Sequence, residues 1–159
     1  MTPTRGRAPR GERTREAVPR NRGTVTTMIG SLSSRGLGAL MTIEGGTSGA
    51  VFIRYVVDVL VPTLRSGDIV VLDNLAAHHT DAVRVAVEGA GAVLKFLPAY
   101  SPDFNAIELA WSKVKNFMRR LKPRSHADLD NAFSAAARAV THGDAAGWMR
   151  HCGFTGQAR

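Results

Sequence analysis

The stretch GDIVVLDN, residues 67–74, constrains the fold more than any other part of the chain. Four apolar side chains follow one another without interruption, entered by a Gly-Asp turn and closed by Asp73. An apolar run this short and unbroken reads as a strand buried on both faces, which requires helices above and below a sheet. The neighbouring segments supply them. AVFIRYVVDVLVPTL (50–64) carries apolar residues at 52, 53, 56, 57, 59 and 60 and predicts a helix packed on the sheet, ended near Pro62. HTDAVRVAVEGAG (79–91) predicts a short helix closed by glycines, and AVLKFLPAY (92–100) the next strand. Upstream, TVTTMIGSL (24–32) and LGALMTI (37–43) flank the turn chemistry of SSRG (33–36) and read as an antiparallel hairpin. Downstream, 101–122 is the strongest helix of the chain, followed by helices over 126–140 and 143–154. This order predicts an α/β fold, a mixed sheet flanked by helices.

Charge narrows the partner. The formal net charge is +8 over 159 residues. Residues 1–23 hold seven arginines against Glu12 and Glu16 and read as an irregular basic arm, with at most one short strand near Ala17-Val18. A second basic run, Lys113, Lys115, Arg119, Arg120, Lys122 and Arg124, contains no acid. Two such clusters favour a polyanionic partner, nucleic acid above all, over a merely solvated surface. Residues 24–159 then form one domain, a size that suits a modest single core. Cys152 stands alone, so an internal disulfide is excluded, and no apolar run reaches membrane-spanning length. The expectation is a cytoplasmic, nucleic-acid-associated protein with no membrane partner.

Two carboxylates stand out. In SPDFNAIELAWSKVKNFMRRLK (101–122), Ser101 or Asp103 caps the helix and Pro102 suits its first turn. Phe104, Ile107, Trp111, Val114, Met118 and Leu121 form a core-facing stripe, and Glu108, Ser112, Lys115 and Arg119 share the side next to it. Glu108 reads equally as an acid near a helix N-terminus, where the macrodipole favours it. Asp73 ends the apolar strand at the mouth of the sheet, where open α/β sheets bind ligands; it reads equally as a turn former with Asn74.

Taken together, VVLDN with HH shortly after it and LPAYSPDFNAIELAWSKVK resemble the mariner-like superfamily of DDE transposases, most of all its bacterial insertion-sequence branch. Thirty-four residues lie between Asp73 and Glu108, the spacing of that superfamily. The resemblance runs from about Arg5 onward and departs at Ala106, where the family usually has Pro. It implies a ribonuclease-H-like fold, with Asp73 and Glu108 as catalytic metal ligands for two Mg²⁺ or Mn²⁺ ions. Carboxylates are hard oxygen donors suited to those ions, which act in phosphoryl transfer about 4 Å apart. Asn74, His78 and Asn105 become supporting residues, although His78 and His79 read equally as an inert helix start. Lys113, Lys115, Arg119 and Arg120 become the face that tracks the DNA backbone of transposon ends and target.

The resemblance also implies a first catalytic Asp on a central first strand, ahead of the arm. No such segment precedes Arg5, and Glu44, Asp58 and Asp68 do not occupy its place. The expectation is therefore the C-terminal part of a catalytic domain, lacking its first strand, with little strand cleavage on its own. An upstream polypeptide carrying the first Asp and a helix-turn-helix is the expected partner, alongside a homo-oligomer. A non-catalytic DNA-binding remnant that co-assembles with an intact transposase, and a ribonuclease-H-like nuclease, are the alternatives.

Overall fold

The computed structural model describes residues 7–13 and 25–154. Most of the basic arm over 1–23, including the segment near Ala17-Val18, lies outside the described residues; of the arm, 7–13 show a turn in which Glu12 N donates to Pro9 O at 3.0 Å.

Strands β1 (Thr26–Ser33) and β2 (Gly36–Glu44) pair antiparallel across Ser34-Arg35. Gly36 takes φ 117°, a backbone conformation that a β-carbon disfavours. The register slips between Ile29 and Ser31, and Gly30 at that bulge lies under Leu40 and Trp111. A β-carbon there would stand 2.6 Å from Leu40 Cδ2 and 3.3 Å from Trp111 Cη2, so a larger residue at the bulge obliges those side chains to shift. Strands β3 (Ile69–Leu72) and β4 (Val93–Phe96) pair parallel, Ile69 opposite Val93 and Leu72 opposite Phe96. The crossover between them carries α2 (Asp81–Gly89), whose cap Thr80 Oγ1 accepts from Val83 N at 3.3 Å.

The sheet expected to be continuous is two two-stranded sheets, β1–β2 and β3–β4. No strand among the described residues bridges them. A shared helical layer joins them instead. Phe52, Tyr55, Val56 and Leu60 pack with Val70, Val83 and Val87, and Ile29 and Met41 of the hairpin lie against the same cluster. The other face of the hairpin, through Met28, Leu32, Leu37 and Leu40, meets a second cluster built from Val114, Met118, Phe133, Ala136 and Val140. That second layer is α3 (Ala106–Leu121), α4 (His126–Arg138) and α5 (His142–His151). Ser125 and Thr141 start α4 and α5 with capping boxes closed by Asp128 and Asp144.

Three expectations need correction. The helix over 50–64 is α1 (Gly49–Arg54), then a π-type turn (Tyr55–Leu60) in which Val61 N donates to Val56 O, then a 3₁₀ turn (Val61–Thr63). Pro62 has no N–H to offer the carbonyl four residues back, and the β-branched run at 56, 57, 59 and 61 resists the tighter α-turn. The run IVVL is buried on one face only: Val70 is in the core, while Ile69 is 65% and Val71 37% exposed. Nothing among the described residues covers that second face. The helix over 101–122 starts late. Pro102–Phe104 is a 3₁₀ turn, and α3 begins at Ala106 behind Asn105, so neither Ser101 nor Asp103 caps it. Its buried stripe is Ala106, Ala110, Val114 and Met118, and the predicted stripe ends, Phe104 and Leu121, are about half exposed.

Candidate active site

The parallel order of β3 and β4 sends both strands out at one end of the sheet, where Asp73 and Asn74 follow β3. Asp73 is the first residue beyond β3. Its Oδ1 lies 2.6 Å from His78 Nδ1. Both atoms are shut from solvent, and they approach closely without hydrogen-bond alignment. The His78 ring lies on the phenyl ring of Phe52, centroids 4.0 Å apart and planes 28° apart. The next residue repeats the arrangement. Asn74 Oδ1 accepts from His79 Nε2, and the His79 ring stacks on Phe96 at 3.9 Å and 16°. A 3₁₀ turn over Ala76–His78 closes this loop, bringing each imidazole back to the side chain five positions before it.

The two histidines are not the start of α2, which Thr80 caps after them. Both are engaged with the dipeptide at the strand exit. The i, i+5 recurrence of Asp73 with His78 and Asn74 with His79 is visible in DNLAAHH. The supporting rings are not, because Phe52 comes from α1 and Phe96 from the end of β4.

Glu108 sits in the first turn of α3, exposed, its carboxylate without a hydrogen-bond or ion-pair partner among the described residues. Asn105, at the N-cap position, makes no side-chain capping bond. No hydrogen bond or ion pair joins Glu108 or Asn105 to Asp73. The other acids considered are committed locally: Asp58 to Arg54 at 3.5 Å, and Asp68 Oδ2 to Arg65 N at 2.8 Å. Glu44 stands 3.8 Å from His126, both exposed.

The basic face divides. Lys115 and Arg120 are exposed, and Arg119 Nη1 donates to Asn116 Oδ1 at 3.0 Å. Lys113, expected among the DNA contacts, donates to Asp144 Oδ2 at 2.5 Å. That lysine and the Thr141 backbone and hydroxyl donors hold the Asp144 carboxyl at about 2. The role of Asp144 was partly legible, since Thr141-x-x-Asp144 is a capping-box pattern.

For a divalent cation the donor chemistry fits, because Asp73 and Glu108 carry hard oxygen donors that no lysine or arginine neutralises among the described residues. The number falls short: no group of three or more His, Cys, Asp or Glu among the described residues converges on one point. A complete two-ion site needs a donor from outside them.

A family model described as DDE superfamily endonuclease matches residues 1–131, a span that contains both carboxylates. Among curated proteins none matches. Among solved structures, the crystal structure of the Mos1 mariner paired end complex with Mn is similar, with a TM-score of 0.70 at 17% sequence identity. The alignment covers 96% of this chain and 47% of that one, so the chain spans about half the length of the protein it matches. At that identity the likeness establishes the fold, which is the ribonuclease-H-like arrangement expected above.

Proposed function

The chain belongs to the DDE superfamily of endonucleases, and from that premise we propose that it is the Asp73–Glu108 portion of a transposase catalytic domain acting on DNA strand ends. The observation that carries this reading is Asp73 at the exit of the parallel pair, braced by His78. Asp73 and Glu108 would hold Mg²⁺ or Mn²⁺, which when bound activates the attacking oxygen and stabilises the leaving one. The chain's own residues do the rest. His78 keeps Asp73 Oδ1 in place, so the carboxylate does not reorient when a cation or phosphate arrives. His79 does the same for the Asn74 amide. Lys115, Arg119 and Arg120 attract the phosphate backbone without reading bases.

The shortfall in ligands supports a further element of the reading: the third carboxylate comes from another polypeptide segment, and the chain alone cleaves DNA little or not at all. The same shortfall favours, as a second reading, a DNA-binding module that joins an intact transposase and lacks catalysis. The name of the similar structure, a paired end complex, fits an assembly on DNA ends.

Nicking of supercoiled DNA with Mn²⁺ tests both. No nicking by the full chain, and nicking that appears only when a transposase N-terminal segment is added and vanishes in Asp73→Ala, is the expected result. Nicking that persists in Asp73→Ala removes Asp73 from the chemistry. Nicking that never appears with the added segment leaves the binding-module reading.

A further inference from the structure

We propose that Phe52 is a positioning residue for Asp73, acting through the imidazole of His78. The functional meaning of this inference rests on the reading of Asp73 as a ligand; its geometry does not. Asp73 lies on a loop, and a loop carboxylate ordinarily turns freely about two side-chain torsions. Here one oxygen is fixed. Oδ1 is shut from solvent against His78 Nδ1, while the side chain as a whole is 37% exposed, so the exposed part of the carboxylate is Oδ2. Such a carboxylate presents one oxygen in one direction.

That direction is only as firm as the imidazole behind it. The His78 imidazole has no other polar partner among the described residues, and the ring could swing about its own torsions without a support. The support is Phe52. Its ring is 5% exposed, lies flat on His78 at 4.0 Å, and meets Tyr55 at 6.0 Å on the helix. A close-packed core side chain cannot shift without opening a void. Rigidity therefore passes from the α1 core to the imidazole and on to the carboxylate. Partners of this kind, which orient a ligand without touching the metal, are a general requirement of metal sites. The π-type turn begins at Tyr55, three residues after Phe52, and such turns recur at functional sites. Phe96 holds His79, and through it Asn74, in the same way from the sheet side.

The test compares wild type, Phe52→Leu, Phe52→Tyr and Asp73→Asn in the full chain. Leucine keeps an apolar side chain in the core and removes the stacking face, whereas tyrosine keeps the face. Two readouts separate positioning from folding: the ¹⁵N signal of His78 Nδ1, and the Mn²⁺ affinity from paramagnetic broadening of amides around residues 72–75. In Phe52→Leu the His78 signal moves to its Asp73→Asn position and Mn²⁺ binding weakens about tenfold, the low end for removal of an orienting partner. Phe52→Tyr restores both. A wild-type His78 signal in folded Phe52→Leu overturns the inference; if that variant does not fold, Phe52→Met, also without a ring, is read in its place. If the His78 signal moves but Asp73→Asn leaves Mn²⁺ binding unchanged, the positioning stands and the ligand reading of Asp73 fails.

Discussion

Lys113 on α3 and Asp144 on α5 meet with Nζ 2.5 Å from Oδ2, thirty-one positions apart in sequence. Asp144 also accepts from Thr141 N at 2.8 Å and Thr141 Oγ1 at 2.7 Å. One carboxylate thus closes the cap of α5 and fastens that helix to α3. The lysine nearest in sequence to Glu108 is a tie between helices.

DNA binding separates Lys113 from its neighbours. Removing one cation that sits on a phosphate makes log affinity less steep against log salt, by about 0.9 on duplex DNA. Lys115→Ala and Arg120→Ala are each expected to flatten the slope by about that amount. Lys113→Met is expected to leave the slope near wild type, since its charge is already compensated. Fluorescence anisotropy across a salt series measures all three, and an equal flattening for Lys113→Met would place that side chain on the DNA.

Acid stability depends on Asp144. Its carboxyl is lowered from 3.8 to about 2 by Lys113 and then by the Thr141 donors. A depressed carboxylate stabilises the fold above its unfolded value and loses that contribution as pH falls through the folded one. The contribution is therefore full above pH 4 and disappears towards pH 2. Asp144→Asn should melt below wild type at pH 6, with the gap closing as pH approaches 2. A gap that stays constant between those limits would show that ionisation of Asp144 is not its source.

Ala106 is the first residue of α3, behind Asn105. Proline suits that position, because its N–H has no helical partner and its φ is already set. Ala106→Pro is expected to stabilise the chain by about 0.4–1 kcal/mol through the unfolded state. Thermal melts decide it; a lower melting temperature would mean that the buried side of Ala106 has no room for the ring.

The parallel pair is covered on one face. Val70→Ala is expected to cost about 2 kcal/mol, as truncation of a buried apolar side chain does. Val71→Thr on the open face should fall within about 0.5 kcal/mol of wild type and reduce self-association. Urea melts and light scattering report the two effects. A large destabilisation by Val71→Thr would mean that a partner covers this face in solution.

Tyr100 sits at φ 58° with its side chain fully exposed. The left-handed conformation costs a residue such as tyrosine about 1–2 kcal/mol and costs asparagine less. Tyr100→Asn removes no packing and should raise the melting temperature. If it instead leaves stability unchanged and weakens DNA binding, the exposed ring serves the ligand.

Much of this fold is written in local patterns. The hairpin follows from alternation around SSRG, and α4 and α5 follow from Ser-x-x-Asp and Thr-x-x-Asp caps, because capping and turn chemistry involve residues within a few positions of each other. The DNLAAHH loop shows its pairs at constant spacing for the same reason. What failed was the extent of burial on particular faces, although Val114 and Met118 are in the core as their spacing predicts. The run IVVL is apolar throughout, and only the packing shows that Val70 is covered and Ile69 is not. The covered stripe of α3 runs through Ala106 and Ala110, and only the packing shows it.

The sequence by itself determined the family and the basic character of the chain, since these depend on residue identity and spacing. Tertiary structure alone decided that Lys113 is spent on Asp144, that Phe52 and Phe96 support the two histidines, and that the strands form two sheets under one helical layer. Those interactions join segments far apart in the chain. Their energy comes from close packing and from charge at short range, and neither leaves a periodic trace along the sequence.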